Sequence, residues 1–204
     1  MWKAKRKGLG HAFYKDKLLV LLETLKDLML SECDKWKAEM QASSDGTTRF
    51  NMSVKFLNIL QEFLLQILLG SRCEQIKIKM IDRKGERSPW ETLEVSLPEA
   101  IMICFDQTLF LAPKRLMNPA WLATHWLTGK SFAFSKADRI CDKNCALVRQ
   151  EVRNYIQKRI SGEIKSEVAN NSDLVSLMLE SKDIFDIEDI IDEVLDLMVA
   201  ATNT

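Results

Sequence analysis

Two residues near the amino terminus have side chains that could bind an anionic ligand together. Trp2 and Arg6 stand four positions apart, so on a helix both side chains lie on one face. An indole N–H and a guanidinium are hydrogen-bond donors without an acceptor, and the planar fork of arginine matches a carboxylate. The pair suits a carboxylate-bearing ligand. The alternative is an aromatic anchor with a surface arginine beside it.

A second group of residues that could face a ligand lies at the end of the sequence. Ala200-Ala201-Thr202-Asn203-Thr204 places small and then polar residues late in an otherwise apolar helix. Small residues allow a bulky group to approach the backbone, while threonine and asparagine side chains compete for backbone hydrogen bonds and distort the helix locally. The pattern indicates a ligand-facing groove, and the alternative is a frayed or truncated helix end.

Helical periodicity dominates the chain between these two groups. Gly70 is placed to end the second helix in the left-handed conformation, and Ser96, Pro98 and Glu99 together indicate the start of another. We predict helices over residues 2–41 with a break near Gly8–Gly10 or after Tyr14, and over 52–69, 96–112, 121–127, 136–168, 174–179 and from Asp186 onward.

Residues 75–95 follow a different pattern. Ile76, Ile78 and Met80 alternate with polar residues, which is the period of a strand. The segment 83–86 supplies a turn, and residues 92–95 alternate again. The pattern predicts a small β-hairpin or an extended loop within a mainly α protein.

The two terminal groups resemble two motifs of the cytochrome P-450 family. Trp2-Lys3-Ala4-Lys5-Arg6, followed by His11-Ala12-Phe13 and Leu18, is similar to helix C with its Trp-x-x-x-Arg motif. Asp192-Glu193-Val194 running into Ala200-Ala201-Thr202-Asn203-Thr204 resembles helix I, where Ala/Gly-Gly-x-Asp/Glu-Thr is usual. The predicted helices at 52–69, 96–112, 136–168 and 174–179 look like helices E, F, G and H. Residues 1–204 would then form one incomplete domain, a partial P-450 fold from helix C to helix I.

The resemblance implies roles for both groups. Trp2 and Arg6 would hydrogen-bond a propionate of haem b. Thr204, with Asn203, would lie above the iron and help deliver protons to bound dioxygen, next to a groove at Ala200 and Ala201. Two residues depart from the family pattern: Ala201 replaces a glycine and narrows the groove, and Asn203 replaces an acid and cannot ionise. The family's substrate pocket would be lined by residues 105–121 and by the helix I residues just before Ala200.

Two further family motifs are absent from the sequence. No Glu-x-x-Arg occurs, and none of the five cysteines lies in a Phe-x-x-Gly-x-x-x-Cys-x-Gly loop. The axial cysteine thiolate of such enzymes favours O–O cleavage. The ligand to the haem iron would therefore come from outside these residues, and we expect the chain to be inactive alone. Neither terminal helix shows a closing signal, so both ends look cut.

The function implied by the resemblance is that of a monooxygenase, an oxidoreductase that inserts one oxygen atom of dioxygen into a small apolar organic substrate. A reductase would be the redox partner. The full-length protein would be intracellular, on the cytosolic face of the endoplasmic reticulum membrane, held by an anchor that this sequence does not contain. The alternative is a non-enzymatic helical protein-interaction module, complete as given.

Charge and hydropathy argue against two further classes of protein, nucleic-acid-binding and membrane-spanning. Lysines and arginines balance aspartates and glutamates at 29 each, so no global field would attract nucleic acid. No apolar run reaches the length of a membrane span.

Cys141 and Cys145 stand one helical turn apart, as half of a metal site would. No second pair accompanies them in a suitable pattern, so we predict reduced, buried or idle thiols and no metal bound by these cysteines.

Overall fold

The structure is a computed structural model that describes residues 15–43, 47, 49, 51–71, 73, 75–83, 88–129, 134–168, 173–181 and 183–202. Over these residues it is mainly helical, with seven helices and one small antiparallel sheet. The elements in chain order are α1 Lys15–Ala42, α2 Met52–Leu69, β1 Lys77–Asp82, β2 Glu91–Ser96, α3 Leu97–Leu116, α4 Pro119–Thr128, α5 Lys136–Ile160, α6 Leu174–Glu180 and α7 Ile187–Thr202. None of the described helices is both long and apolar enough to cross a membrane.

The chain divides into two compact units. The first comprises residues 1–73 and 155–204, and the second comprises residues 74–154. The boundary falls within α5, which contributes residues to both units.

In the first unit, α2 packs against α1, α6 and α7. Leu65 and Leu69 of α2 are completely buried. The apolar side of α7 is buried as well, at Ile190, Ile191, Val194 and Met198. Fully burying each such side chain stabilises the fold by about 1.5–3 kcal/mol, so these two helices carry much of the core of the unit.

In the second unit, β1 and β2 form an antiparallel hairpin that packs against α3. Ile78 pairs with Val95, and Met80 pairs with Leu93. Ile78 and Met80 are buried, while Lys77 and Lys79 are exposed. The strand alternation predicted for residues 75–95 is therefore confirmed, and the hairpin forms in place of an extended loop.

The predicted helix boundaries hold where a local signal sets them. Gly70 adopts φ +79° directly after α2. The Glu99 carboxylate accepts hydrogen bonds from the backbone N–H and the hydroxyl of Ser96, both at 2.8 Å. Asp173 caps α6 by accepting from the Ser176 N–H at 2.9 Å. Gly129 follows α4 in the left-handed conformation, at φ +66°.

Two predicted boundaries are wrong. The helix that starts at Ser96 continues past Pro113 to Leu116. Proline removes one helical hydrogen bond, and here it lies in an exposed turn, where the carbonyl of Leu109 can bond to water instead. The long helix α5 ends at Ile160 and not at Val168, because Gly162 turns the chain at φ +79°.

Candidate functional site

Most of the residues predicted for the site lie outside the part of the chain that the structure describes. These are Trp2, Arg6, Asn203 and Thr204. Ala201 lies in the last turn of α7, and its side chain is not among those described. Ala200 is therefore the one residue of the two predicted terminal groups whose surroundings can be stated.

Helix α7 positions Ala200 through the register of its apolar face. Asp186 precedes the helix and accepts a hydrogen bond from the Asp189 N–H at 2.8 Å, which fixes the first turn. Val194 and Met198, one turn apart, are buried. Ala200, two positions beyond Met198, is exposed. Near its carboxyl end, α7 thus presents the short side chain of Ala200 on the face opposite to its buried residues.

A buried ion pair fixes the segment between α5 and α6 in the first unit. The Arg159 and Asp173 side chains are only 5% and 0% exposed, and Nη2 of Arg159 lies 3.1 Å from Oδ2 of Asp173. Asp173 also accepts from the Ser176 hydroxyl at 2.7 Å. Nη1 of Arg159 is buried without a partner. The carboxylate therefore neutralises a buried guanidinium and caps α6 at the same time.

The end of α2 meets a second polar cluster. The Tyr155 hydroxyl donates to the Leu69 carbonyl at 2.9 Å and lies 3.0 Å from the Ser71 hydroxyl. The Ser71 hydroxyl is 3.1 Å from Sγ of Cys73. Burial raises the pKa of Tyr155 to about 12 and that of Cys73 to about 11. Both groups stay protonated at neutral pH and act as neutral partners in this cluster.

In the second unit, an ion pair joins α3 to the start of α5. Arg115 donates to Asp138 at 2.8 Å and to Asp142 at 3.0 Å. Burial alone would raise the pKa of Asp138, but Ser135 and Arg115 donate to its carboxylate, and the net pKa lies below the usual value. Asp138 is therefore charged at neutral pH and holds the first turn of α5.

Three thiols lie together between α3 and α5. Cys104 and Cys141 are buried, and Cys145 is partly exposed. The Thr108 hydroxyl of α3 lies 3.6 Å from Sγ of Cys141, and the neighbouring Cys145 thiol raises the pKa of Cys141. The predicted burial of Cys141 is confirmed. The sequence pattern did not predict Cys104 as a neighbour, because nothing in its spacing links it to the other two.

Helix α4 carries most of its side chains on the surface. None of its residues is buried, and Trp126 and Leu127 are 84% and 72% exposed. It contains no aspartate, glutamate, lysine or arginine. Trp121 stacks on His125, with their ring centroids 5.1 Å apart. An uncharged and exposed helix of this kind is typical of a surface that contacts an apolar partner.

Comparison with known proteins identifies no relative. No family model, no curated protein and no solved structure matches the chain. Within the described ranges, no group of three or more histidine, cysteine, aspartate or glutamate side chains is arranged to hold a metal ion.

Proposed function

We propose that the chain forms the helix C to helix I portion of a haem-thiolate monooxygenase. The observation that carries this proposal is the register of α7, the helix whose sequence resembles helix I. Its buried side chains recur at steps of one, three and four residues and end at Met198. Ala200 follows on the exposed side, which is where the resemblance puts the groove above the haem.

The short side chain at the described end of α7 supports the haem proposal. A flat macrocycle can approach a helix only where the side chains are short, and Ala200 is both short and exposed. By resemblance, Trp2 and Arg6 would hold a haem propionate through their N–H donors. When bound, the haem supplies the activation of dioxygen.

By resemblance, the remaining chemistry would fall to Asn203 and Thr204. The Thr204 hydroxyl can hold a proton beside the groove and donate it. The Asn203 amide can orient a water molecule by hydrogen bonding, but it cannot exchange a proton as an acid would. By resemblance, residues 105–121 and the residues just before Ala200 would line the pocket for the substrate, a small apolar organic molecule, and a reductase would supply the electrons.

The first test is to sequence the transcript beyond the codon for Thr204. A monooxygenase requires a downstream Glu-x-x-Arg and a cysteine loop, since the 204 residues contain neither. We expect both to follow. A stop codon directly after Thr204 in the mature message would refute the proposal.

The second test uses the protein that the continued message encodes. Arg6→Ala should lower haem retention, because a propionate loses its charged partner. Lys5→Ala, at the adjacent position that the Trp-x-x-x-Arg motif leaves open, is the matched control and should retain haem. Thr204→Ala should keep the haem and form less product per electron consumed. Equal haem content in Arg6→Ala and Lys5→Ala would contradict the role of Arg6.

One observation favours a second candidate function, a helical protein-interaction module. It is the exposed apolar surface of α4, where Trp126 and Leu127 are mostly accessible to solvent. This reading predicts that the 204-residue chain associates in solution through α4. Sedimentation analysis of the chain and of Trp126→Ser checks this: association that survives the substitution would count against α4 as the interaction surface.

A further inference from the structure

The cysteines of the second unit are arranged as a dithiol that spans two helices. Cys104 lies on α3, about 40 residues before Cys145 on α5. Contacts along the two helices run antiparallel, with Arg115 bonded to Asp138 and Asn144 bonded to Gln107, so Cys104 lies opposite the turn of α5 that carries Cys145. The Thr108 hydroxyl, one turn after Cys104, lies 3.6 Å from Sγ of Cys141, so the facing surfaces of α3 and α5 meet here through sulfur and hydroxyl groups.

We propose that Cys104 and Cys145 form a redox modification site, a dithiol that a small-molecule disulfide such as oxidised glutathione converts into a disulfide between α3 and α5. This site does not depend on the proposed monooxygenase function. It would connect two helices of the second unit covalently under oxidising conditions.

Helix geometry favours this pairing over one between Cys141 and Cys145. Residues one turn apart project side by side along the same helix, with both Cα–Cβ bonds tilted toward the amino terminus. A disulfide needs its two Cβ atoms to approach within about 4 Å at a defined dihedral angle, which one helix would reach only by distortion. Cys104 and Cys145 face each other from different helices, so rotation of the side chains can bring the sulfurs together.

The exchange proceeds in two steps that balance. The Cys145 thiolate attacks one sulfur of oxidised glutathione, the S–S bond breaks, and one glutathione leaves as a thiolate. The Cys104 thiolate then attacks Sγ of Cys145, the mixed disulfide breaks, and the second glutathione leaves. Two protein thiols are oxidised, one small disulfide is reduced to two thiols, and the two protons from the cysteines pass to the glutathione thiolates.

Accessibility sets the order of these steps. Cys145 is the partly exposed member of the cluster, so it meets the oxidant first, and the buried Cys104 resolves the mixed disulfide. Cys33 of the first unit is also partly exposed and provides an internal comparison. We expect Cys33 to stop at the mixed disulfide with glutathione.

The test is to incubate the 204-residue chain with oxidised glutathione, block free thiols in acid, digest without reduction and map the linked peptides by mass spectrometry. The expected result is a Cys104–Cys145 linked pair that dithiothreitol releases. The pair should persist in Cys141→Ser. In Cys104→Ser the reaction should stop with glutathione on Cys145.

Cys104→Ala repeats this trapping step with a small apolar side chain, in case the buried hydroxyl of Cys104→Ser prevents folding. Two outcomes would overturn the proposal. One is a Cys141–Cys145 pair in place of the expected pair. The other is an unchanged or glutathione-bound Cys145 without a bridge, under conditions in which Cys33 has reacted.

Discussion

Replacing Asp173 by asparagine would test how strongly the first unit depends on one buried charge. The carboxylate is completely buried and accepts from Nη2 of Arg159 at 3.1 and 3.4 Å. It also accepts from the N–H and the hydroxyl of Ser176. Asparagine has nearly the same volume and caps helices about as well as aspartate. The substitution therefore removes the negative charge and leaves the cap of α6 available.

The expected cost follows from the charge that remains. Arginine cannot lose its proton in a protein, so Arg159 would stay buried and positively charged, with Nη1 already lacking a partner. Removing one member of a buried ion pair typically costs about 3–5 kcal/mol. Domains of this size are stable by about 5–15 kcal/mol. Asp173→Asn should thus remove a large fraction of the stability.

Urea unfolding followed by circular dichroism provides the measurement. Asp186→Asn is the matched control, because Asp186 caps α7 with an exposed side chain, and asparagine should cost at most about 0.5 kcal/mol there. Combining Asp173→Asn with Arg159→Met should recover part of the loss, because it removes the unpaired charge.

A difference below about 1 kcal/mol between Asp173→Asn and Asp186→Asn would refute the reasoning, since a broken buried pair costs more than that. It would mean that water hydrates the guanidinium from the adjoining cavity of about 550 Å³, which Arg159, Lys165 and Ser166 line.

Three further predictions concern single positions. Gly70→Ala should destabilise the protein by about 1–3 kcal/mol more than Gly162→Ala in the same urea assay, through overpacking. Both glycines have φ +79°, but only at Gly70 would an added Cβ lie 2.7 Å from the Ser166 hydroxyl. Equal losses of stability in the two variants would refute the steric argument. Asp138→Asn should make the stability of the fold less sensitive to acid. A carboxyl whose pKa is depressed in the folded state stabilises the fold above its unfolded pKa of about 4, and this contribution is lost as the pH falls below that value. Urea midpoints that decline equally with falling pH in the variant and the unsubstituted protein would contradict this. The rate of alkylation of Cys145 by iodoacetamide, followed by mass spectrometry, should rise about tenfold per pH unit between about pH 7 and 10. The reason is that the neighbouring Cys104 thiol and burial raise the pKa of Cys145 to about 11. An alkylation rate that stops rising below pH 9 would contradict this prediction.

Helix positions were predictable where a glycine or a capping residue defined an end, as at Gly70 and Ser96, but not at Pro113. The bounds of α2 agree with the predicted 52–69, since a continuous apolar face stops at Gly70. The hairpin was predictable because the alternation at Ile78 and Met80 has a period of two. These signals act within a few residues, so the sequence displays them directly.

Interactions between distant residues were not predictable in the same way. Asp173 caps α6 through a contact three residues away, but its pairing with Arg159 depends on how the chain turns at Gly162. In α1, Leu22 is 61% exposed while Leu28 is 2% exposed. Both leucines suit an apolar position on a helix, so only the packing partner decides which of them is buried.

The difference between local signals and contacts of distant residues also applies to the candidate haem site. The residues predicted to form a groove at the end of α7 belong to a local pattern, and Ala200, the one whose side chain is described, is exposed. A haem site also needs Trp2 and Arg6 to approach the same ligand from nearly 200 positions away, which no local pattern can specify. The exposure of Ala200 therefore bears on one half of the proposed site only, and that half stays a prediction. The Arg6→Ala and Lys5→Ala comparison tests the other half, because only a residue that contacts the propionate would change haem retention.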